Sequence, residues 1–215
     1  MCIFERNFYK VKLIQYNDPI YGFITIPTPL IDKLINHPYV QRLRRIKQMG
    51  LSFLVFPSTE HTRFQHALGA MHLATKAVSS LRKQGANISD NEAEALYAAL
   101  LLHDIGHGPF SHALENSLLP ETAHEKMSLA LMHEMNREFE GNLDLTIQMF
   151  NNSYQRKFFN QLISSHIDLD RLDYLKRDSF YSGVTDGNIN SERLITMMTI
   201  KDDTLAFFTK AIHSI

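Results

Sequence analysis

The sequence predicts a mainly α fold: a helical bundle with a small N-terminal β-hairpin and a C-terminal β-hairpin. Apolar residues recur at helical spacing from Phe64 to Lys83, and AEALYAALLL is so apolar that its helix must be buried nearly all round. Two capping boxes, Ser89 with Glu92 and Thr122 with Glu125, open helices in the middle of the chain. Strand-like signals are confined to the two ends.

Lys10 to Pro27 alternates around NDPIYG, whose Asn, Asp, Pro and Gly make a turn between short extended segments. PLIDKLINHPYVQRLRRIKQMG then turns helical, with Leu30, Leu34, Val40, Leu43 and Ile46 as core positions, Pro38 splitting it and Gly50 closing it. The helix from about Phe64 to Lys83 sets Phe64, Leu68, Met71, Val78 and Leu81 on one face and Arg63, His66 and Ala70 on another, with Gly85 as its end. The helix opened by Ser89 runs into HDIGHGPFSH. HEKMSLALMHEMNREFE forms the next, with His124 in its first turn and Gly141 as its stop. Further helices cover Tyr154 to Ser164 and LDRLDYLKRDSF, and RLITMMTIKDDTLAFFTKAI forms two short strands around KDDT. No repeat or linker interrupts the chain, so residues 1–215 are read as a single domain.

With 44% hydrophobic and 21% charged residues the composition is globular, and a formal net charge of -1 argues against coating nucleic acid or anionic membrane. No stretch approaches the roughly 18 apolar residues of a membrane span, and the first residues lack a signal-peptide core, which predicts a cytoplasmic protein. Cys2 alone supports neither a disulfide nor a thiolate site, so any metal takes nitrogen and oxygen ligands. Eight of the eleven histidines lie between His61 and His133, a density that core packing does not require.

The chemistry concentrates where the apolar helix ends in LLLHDIGHGPFSH. Ionisable groups at the end of such a helix are expensive unless a metal or a charge partner satisfies them. His103 and Asp104 supply two ligands, His66 on the preceding helix is a candidate for another, and HIDLDRLDYLKRD supplies Asp170. There Asp170, Tyr174 and Asp178 recur on one helix face, flanked by Arg171 and Arg177, with Leu169, Leu172 and Leu175 turned elsewhere. Imidazole and carboxylate together suit Fe, Mn, Zn, Ni or Mg without choosing among them. His61, His72 and His133 are read as surface or packing residues, and the basic stretch QRLRRIKQ as a solvated or oligomer-facing helix rather than a nucleic-acid contact.

His66, His103–Asp104 and Asp170, in that order, resemble the H…HD…D pattern of the HD superfamily of metal-dependent phosphohydrolases. More narrowly, QRLRRIKQMG, VFPSTEHTRFQHALG, LLHDIGHGPFSHALE and DLDRLDYLKRD resemble its deoxynucleoside triphosphate triphosphohydrolase branch, over about Asn17 to Gly183. The resemblance implies an HD-domain bundle in which His66, His103, Asp104 and Asp170 hold one divalent metal ion, with a second Mg foreseen on the substrate phosphates. The ion would polarise the α-phosphate and activate a water, and triphosphate would leave as a unit. His107, His112 and His124 would be the catalytic imidazoles around the phosphates, and Arg63 would pair with phosphate oxygens. Gln48 and Asp178 would hold a sugar hydroxyl, Tyr174 would pack on the sugar and Arg171 would supply a cation near the phosphates. A nucleotide substrate and a homo-oligomer follow from the same likeness.

Asn36 and Ile14 stand where regulated members carry an acid and a lysine, which argues against nucleotide activation although Gln41 and Arg44 match. The chain also stops at Ile215, short of the further helices with which the family usually continues. The alternatives are another HD phosphoesterase, either a nucleotidase or a cyclic-nucleotide phosphodiesterase, and a non-catalytic nucleotide-sensing module. The Gly-Tyr-Pro motif of the cyclic-dinucleotide branch is absent.

Overall fold

A computed structural model of the chain describes residues 14–110, 124–187 and 189–208. The N-terminal hairpin pairs β1 (Gln15–Asp18) with β2 (Gly22–Thr25), antiparallel, with Asp18 opposite Gly22. Asp18 Oδ1 accepts from the main-chain N–H groups of Ile20 and Tyr21 at 2.9 and 3.1 Å, which closes the turn.

Next come α1 (Pro29–Asn36), capped by the Thr28 hydroxyl, and α2 (Pro38–Arg42), each opening on proline. Leu34, Val40, Leu43 and Ile46 are buried as expected, and Leu30 is half-buried. The helical run ends earlier than the sequence predicts. After a 3-10 turn at Leu43–Arg45 the backbone extends, and Lys47 bridges to Thr62. Gly50, at φ +55°, belongs to the loop beyond.

The bundle is organised around α3 (Arg63–Lys83), which packs along α4 (Asp90–Leu102) and α8 (Leu169–Ser182). Thr62 and Gln65 form a capping box at its start. The two faces of α3 distinguished in the sequence are both covered, so Arg63, His66 and Ala70 are as deeply buried as Leu68 and Met71. One apolar cluster joins the second half of α3 to α4, α7 (Lys157–Ile163) and α8 through Leu73, Leu96, Phe158 and Leu172. A second joins the first half of α3 to α1, α2 and α5 (His124–Glu138) through Ile31, Leu43, Leu101 and Met132.

The Ser89–Glu92 capping box forms as expected. Glu92 also accepts from the Tyr154 hydroxyl at 2.9 Å and from Arg156 at 2.6 Å, pinning the start of α4 to the approach to α7. Burial pushes its pKa up, but Ser89, Arg156 and Tyr154 outweigh it and bring the carboxyl down to about 2. A depressed carboxyl stabilises the fold above its unfolded pKa and loses that contribution as pH falls through the folded one. Glu92→Gln is therefore expected to cost about 1–2 kcal/mol at pH 7. Thermal melts of the two proteins should converge as the pH falls from 4.5 toward 2.

Thr122, the second predicted cap, lies outside the described residues, and α5 is described from His124. Two short helices are absent from the sequence reading. One is α6 (Asp144–Phe150); the other is α9 (Ser191–Met197), capped by the Asn190 side chain, where a strand was expected. The predicted helix at Tyr154–Ser164 shortens to α7. β3 (Met198–Lys201) and β4 (Thr204–Phe207) make the C-terminal hairpin, with Asp202 and Asp203 both at positive φ as a two-residue turn requires.

Candidate metal centre

Three helices deliver the donors. His66 stands in the first turn of α3, His103 caps the C-terminus of α4 with Asp104 directly after it, and Asp170 lies in the first turn of α8. His66 Nε2 is 3.1 Å from His103 Nε2 and 3.0 Å from Asp170 Oδ1, and His103 Nε2 is 3.4 Å from the same oxygen. The Asp104 oxygens lie 3.7 Å from His66 Nε2 and 3.5 Å from His103 Nε2. Donors about 2.1 Å from a common ion stand about 3.0 Å apart in an octahedron and about 3.4 Å apart in a tetrahedron. His66, His103 and Asp170 bring three donor atoms within 4.8 Å of one another and fit one coordination sphere, and Asp104 stands beside them, within 3.7 Å of both imidazoles.

Both imidazoles present the correct nitrogen. His103 Nδ1 lies 2.7 Å from the Leu100 carbonyl, to which it can only donate, so the Nε2 lone pair of the neutral ring faces inward. His66 Nδ1 lies 2.7 Å from Asp173 Oδ2, with the same consequence.

Charge points the same way. Burial opposes protonation of His66, but Asp170 and Asp173 outweigh it and raise the ring to about 10. His103 is also raised, because Asp104 and Asp170 overcome its burial. Asp104 sits well below the carboxylate range; burial pushes it up, and His103 and Arg63 more than compensate. Asp170 is lowered by His103 and His66 against its own burial. Among the described residues of this network, Asp18, Asp104, Asp170 and Asp173 face Arg63 and Arg177. With neutral imidazoles two negative charges remain, matching one divalent cation.

Around these donors lie His107 and His124, stacked at 3.9 Å, with His107 Nε2 3.4 Å from Asp104 Oδ1. Burial pushes His107 down to about 4 in spite of Asp104. Asp104, His107 and His124 also bring three donor atoms within 4.8 Å of one another. His112 lies outside the described residues. At the rim, exposed Arg171 donates to the Tyr174 hydroxyl at 3.3 Å, and the Tyr174 ring stands edge-on to His66 at 6.4 Å.

Arg63, expected on phosphate, is buried and bonded to Asp104. Asp178, expected on a sugar, pairs with His61 Nε2 at 2.6 Å. His61, read as a packing or surface residue, is buried, stacks on Tyr181 at 4.4 Å and accepts from the Gln48 main chain through its carbonyl. Gln48 and Asp178 are thus joined through His61, and Gln48 Oε1 is buried with no hydrogen-bond partner among the described residues. Arg177, read as flanking a polar face, points into the core with no exposed surface. Asp173, Arg177 and His61 were missed as participants; the signal for the first two was their helical placement beside Leu169 and Leu172, both buried.

Residues 63–179 match the HD domain family. A Bacillus subtilis protein named only as uncharacterized YwfO is 35% identical over 93% of this chain and 47% of its own length. A Dictyostelium discoideum protein named deoxynucleoside triphosphate triphosphohydrolase SAMHD1 homolog is 31% identical over 93% of this chain and 42% of its own. Among solved structures, a phosphohydrolase from Bacteroides thetaiotaomicron superposes with a TM-score of 0.92 at 52% identity, covering 94% of this chain and 50% of that one. The chain spans about half the length, or less, of these relatives.

Proposed function

This chain belongs to the HD domain family, and from that premise we propose that it is a metal-dependent phosphohydrolase that splits deoxynucleoside triphosphates into deoxynucleoside and triphosphate. The observation that carries the reading is the cluster of donor atoms from His66, His103 and Asp170, with a second cluster from Asp104, His107 and His124 directly beside it. The deoxynucleotide substrate is supported by the name of the Dictyostelium relative and by the chain's own motifs.

His66, His103, Asp104 and Asp170 would hold a divalent ion, which would supply a Lewis acid for phosphoryl oxygens and lower the pKa of a water. Burial of His66, His103 and Asp104 shuts bulk water out from beneath, so substrate approaches past Asp170, Arg171 and Tyr174. Arg171 meets phosphate charge at this rim, and Tyr174 offers its ring to the sugar. Burial pushes His107 toward the neutral ring in spite of the neighbouring Asp104, and with His112 and His124 it forms the set of imidazoles that serve the phosphates and the departing oxygen. Arg63 holds Asp104 in place and shares its charge with substrate phosphate. The unpartnered Gln48 amide oxygen and Asp178 take the sugar hydroxyl. A homo-oligomer in the cytoplasm, bound neither to nucleic acid nor to membrane, completes the proposal. Among the described residues, no helix is long and apolar enough to cross a membrane.

Purified protein loaded with Mn2+ should release inorganic triphosphate from one or more of the four deoxynucleoside triphosphates. Metal-loaded protein that binds these nucleotides without turnover would point to a sensing module, and cleavage of other phosphoesters alone would point to another HD phosphoesterase. Gln48→Ala is expected to raise KM about tenfold with kcat nearly unchanged, the signature of one lost neutral hydrogen bond to substrate.

A further inference from the structure

We propose that Asp173 is a positioning residue for the metal ligand His66, itself held by an Arg177–Asp18 pair that ties the centre to the N-terminal hairpin; this rests on the metal reading above. Asp173 and Arg177 have no exposed surface, and Asp18 is 6% exposed. Asp173 Oδ2 accepts from His66 Nδ1 at 2.7 Å and from Arg177 Nε at 2.9 Å, while its Oδ1 accepts from Arg177 Nη2 at 3.0 Å. Arg177 Nη1 then donates to Asp18 Oδ2 at 2.8 Å, and the other Asp18 oxygen is fixed by the hairpin turn. Every polar atom in this line has a defined partner.

Stability alone does not explain such an arrangement. Three buried charges carry a desolvation cost that their attraction barely offsets, and apolar residues of the same volume often serve a fold as well or better. What apolar residues cannot do is accept a hydrogen bond from an imidazole. A carboxylate behind the ring holds its orientation and keeps Nε2 available as the ligand atom, and losing such a partner typically weakens metal binding 10–100-fold. The neighbouring ligand differs: His103 is held by a main-chain carbonyl that no substitution removes. Of the two imidazoles, His66 is the one whose Nδ1 is held by a side chain.

The packing of α3 reserves room for the relay. A Cβ on Gly69, one turn after His66, would lie 1.9 Å from Asp173 Oδ1 and 2.4 Å from Arg177 Nη2. Glycine at that position lets the carboxylate lie flat against the helix and reach Nδ1.

The test compares Co2+ binding to the full chain and to Asp173→Asn by chelator competition, with the visible absorption of bound Co2+ as a second readout. The expected result is a 10–100-fold weaker dissociation constant and an altered ligand-field band in the variant, on top of a lower melting temperature of the metal-free protein, since buried Arg177 loses the charge of one of its two carboxylate partners. A merely structural role would lower the melting temperature alone, leaving Co2+ affinity and band intact, and would overturn the proposal. Should Asp173→Asn not fold, Asp18→Asn loosens the far end of the relay and is expected to weaken Co2+ binding about threefold; unchanged binding there overturns the proposal too. A wild-type chain that takes up no Co2+ overturns the metal reading itself, and the inference with it.

Discussion

Asp104→Ala is expected to empty the centre of metal and to lower turnover more than about 1,000-fold, about 4 kcal/mol of transition-state stabilisation. The Asp104 carboxylate meets His66, His103 and His107 within 3.7 Å and binds Arg63, so it is at once a ligand and the group that balances a buried guanidinium. Removing it turns the Arg63 charge toward the site and makes the same volume hostile to a cation. Elemental analysis should show loss of the ion, and circular dichroism should show the helices retained, since Asp104 lies beyond the end of α4. An alanine variant that keeps stoichiometric metal and turnover would remove the basis of the proposed function. Asp104→Asn separates two contributions: the amide keeps the size and one acceptor, so any metal it retains measures how much the negative charge matters.

Gly106→Ala is expected to destabilise the fold by about 3 kcal/mol or more, a fall in melting temperature of about 6–12 °C for a chain of this size. A Cβ there would lie 2.3 Å from the His124 carbonyl oxygen and 2.4 Å from the Ser128 main-chain nitrogen. Both are backbone atoms of α5, so the helix itself must move. Gly106 N–H donates to Ser128 Oγ at 2.9 Å, and Ser128 Oγ donates to the His103 carbonyl at 2.7 Å, which clamps the ligand turn against α5. Displacing α5 would also part His107 from His124. Ser128→Ala is the control: it deletes the hydroxyl bonds without a clash and should cost only about 1–2 kcal/mol. Equal melting temperatures for Gly106→Ala and wild type would show that the turn yields more easily than its packing implies.

The long helices, the Ser89–Glu92 cap and both hairpins were legible in the sequence because each is specified locally, by period, cap or turn chemistry. Of the H…HD…D residues, legible as a set, His66, His103 and Asp170 offer donor atoms within 4.8 Å of one another, and Asp104 lies alongside His66 and His103 while its donor atom groups with those of His107 and His124. What escaped was long-range. Asp173 and Arg177 share the stripe of α8 that carries Leu169 and Leu172, but two charges on a helix are ordinarily taken as solvated. Only the arrival of Asp18, 159 residues away from Arg177, makes their burial tolerable. His61 escaped for a similar reason, since its partner Asp178 lies 117 residues further on. The strand predicted at RLITM is helical because Asn190 caps it and Ile195 docks among the residues of α3 and α8, so tertiary packing overrides a β-branched stretch.

His66 and His103 lie 37 residues apart, and Asp170 arrives from a helix that begins only at Leu169. An ion gripped by all of them closes long loops at one knot, and it recognises only the finished fold. Unfolding must then release the ion as well as melt the helices, which adds RT ln(1 + [ion]/Kd) to the barrier-free stability. In a metal-starved cell the same chain would become easier prey for proteases, its lifetime set by cation supply as much as by its apolar core.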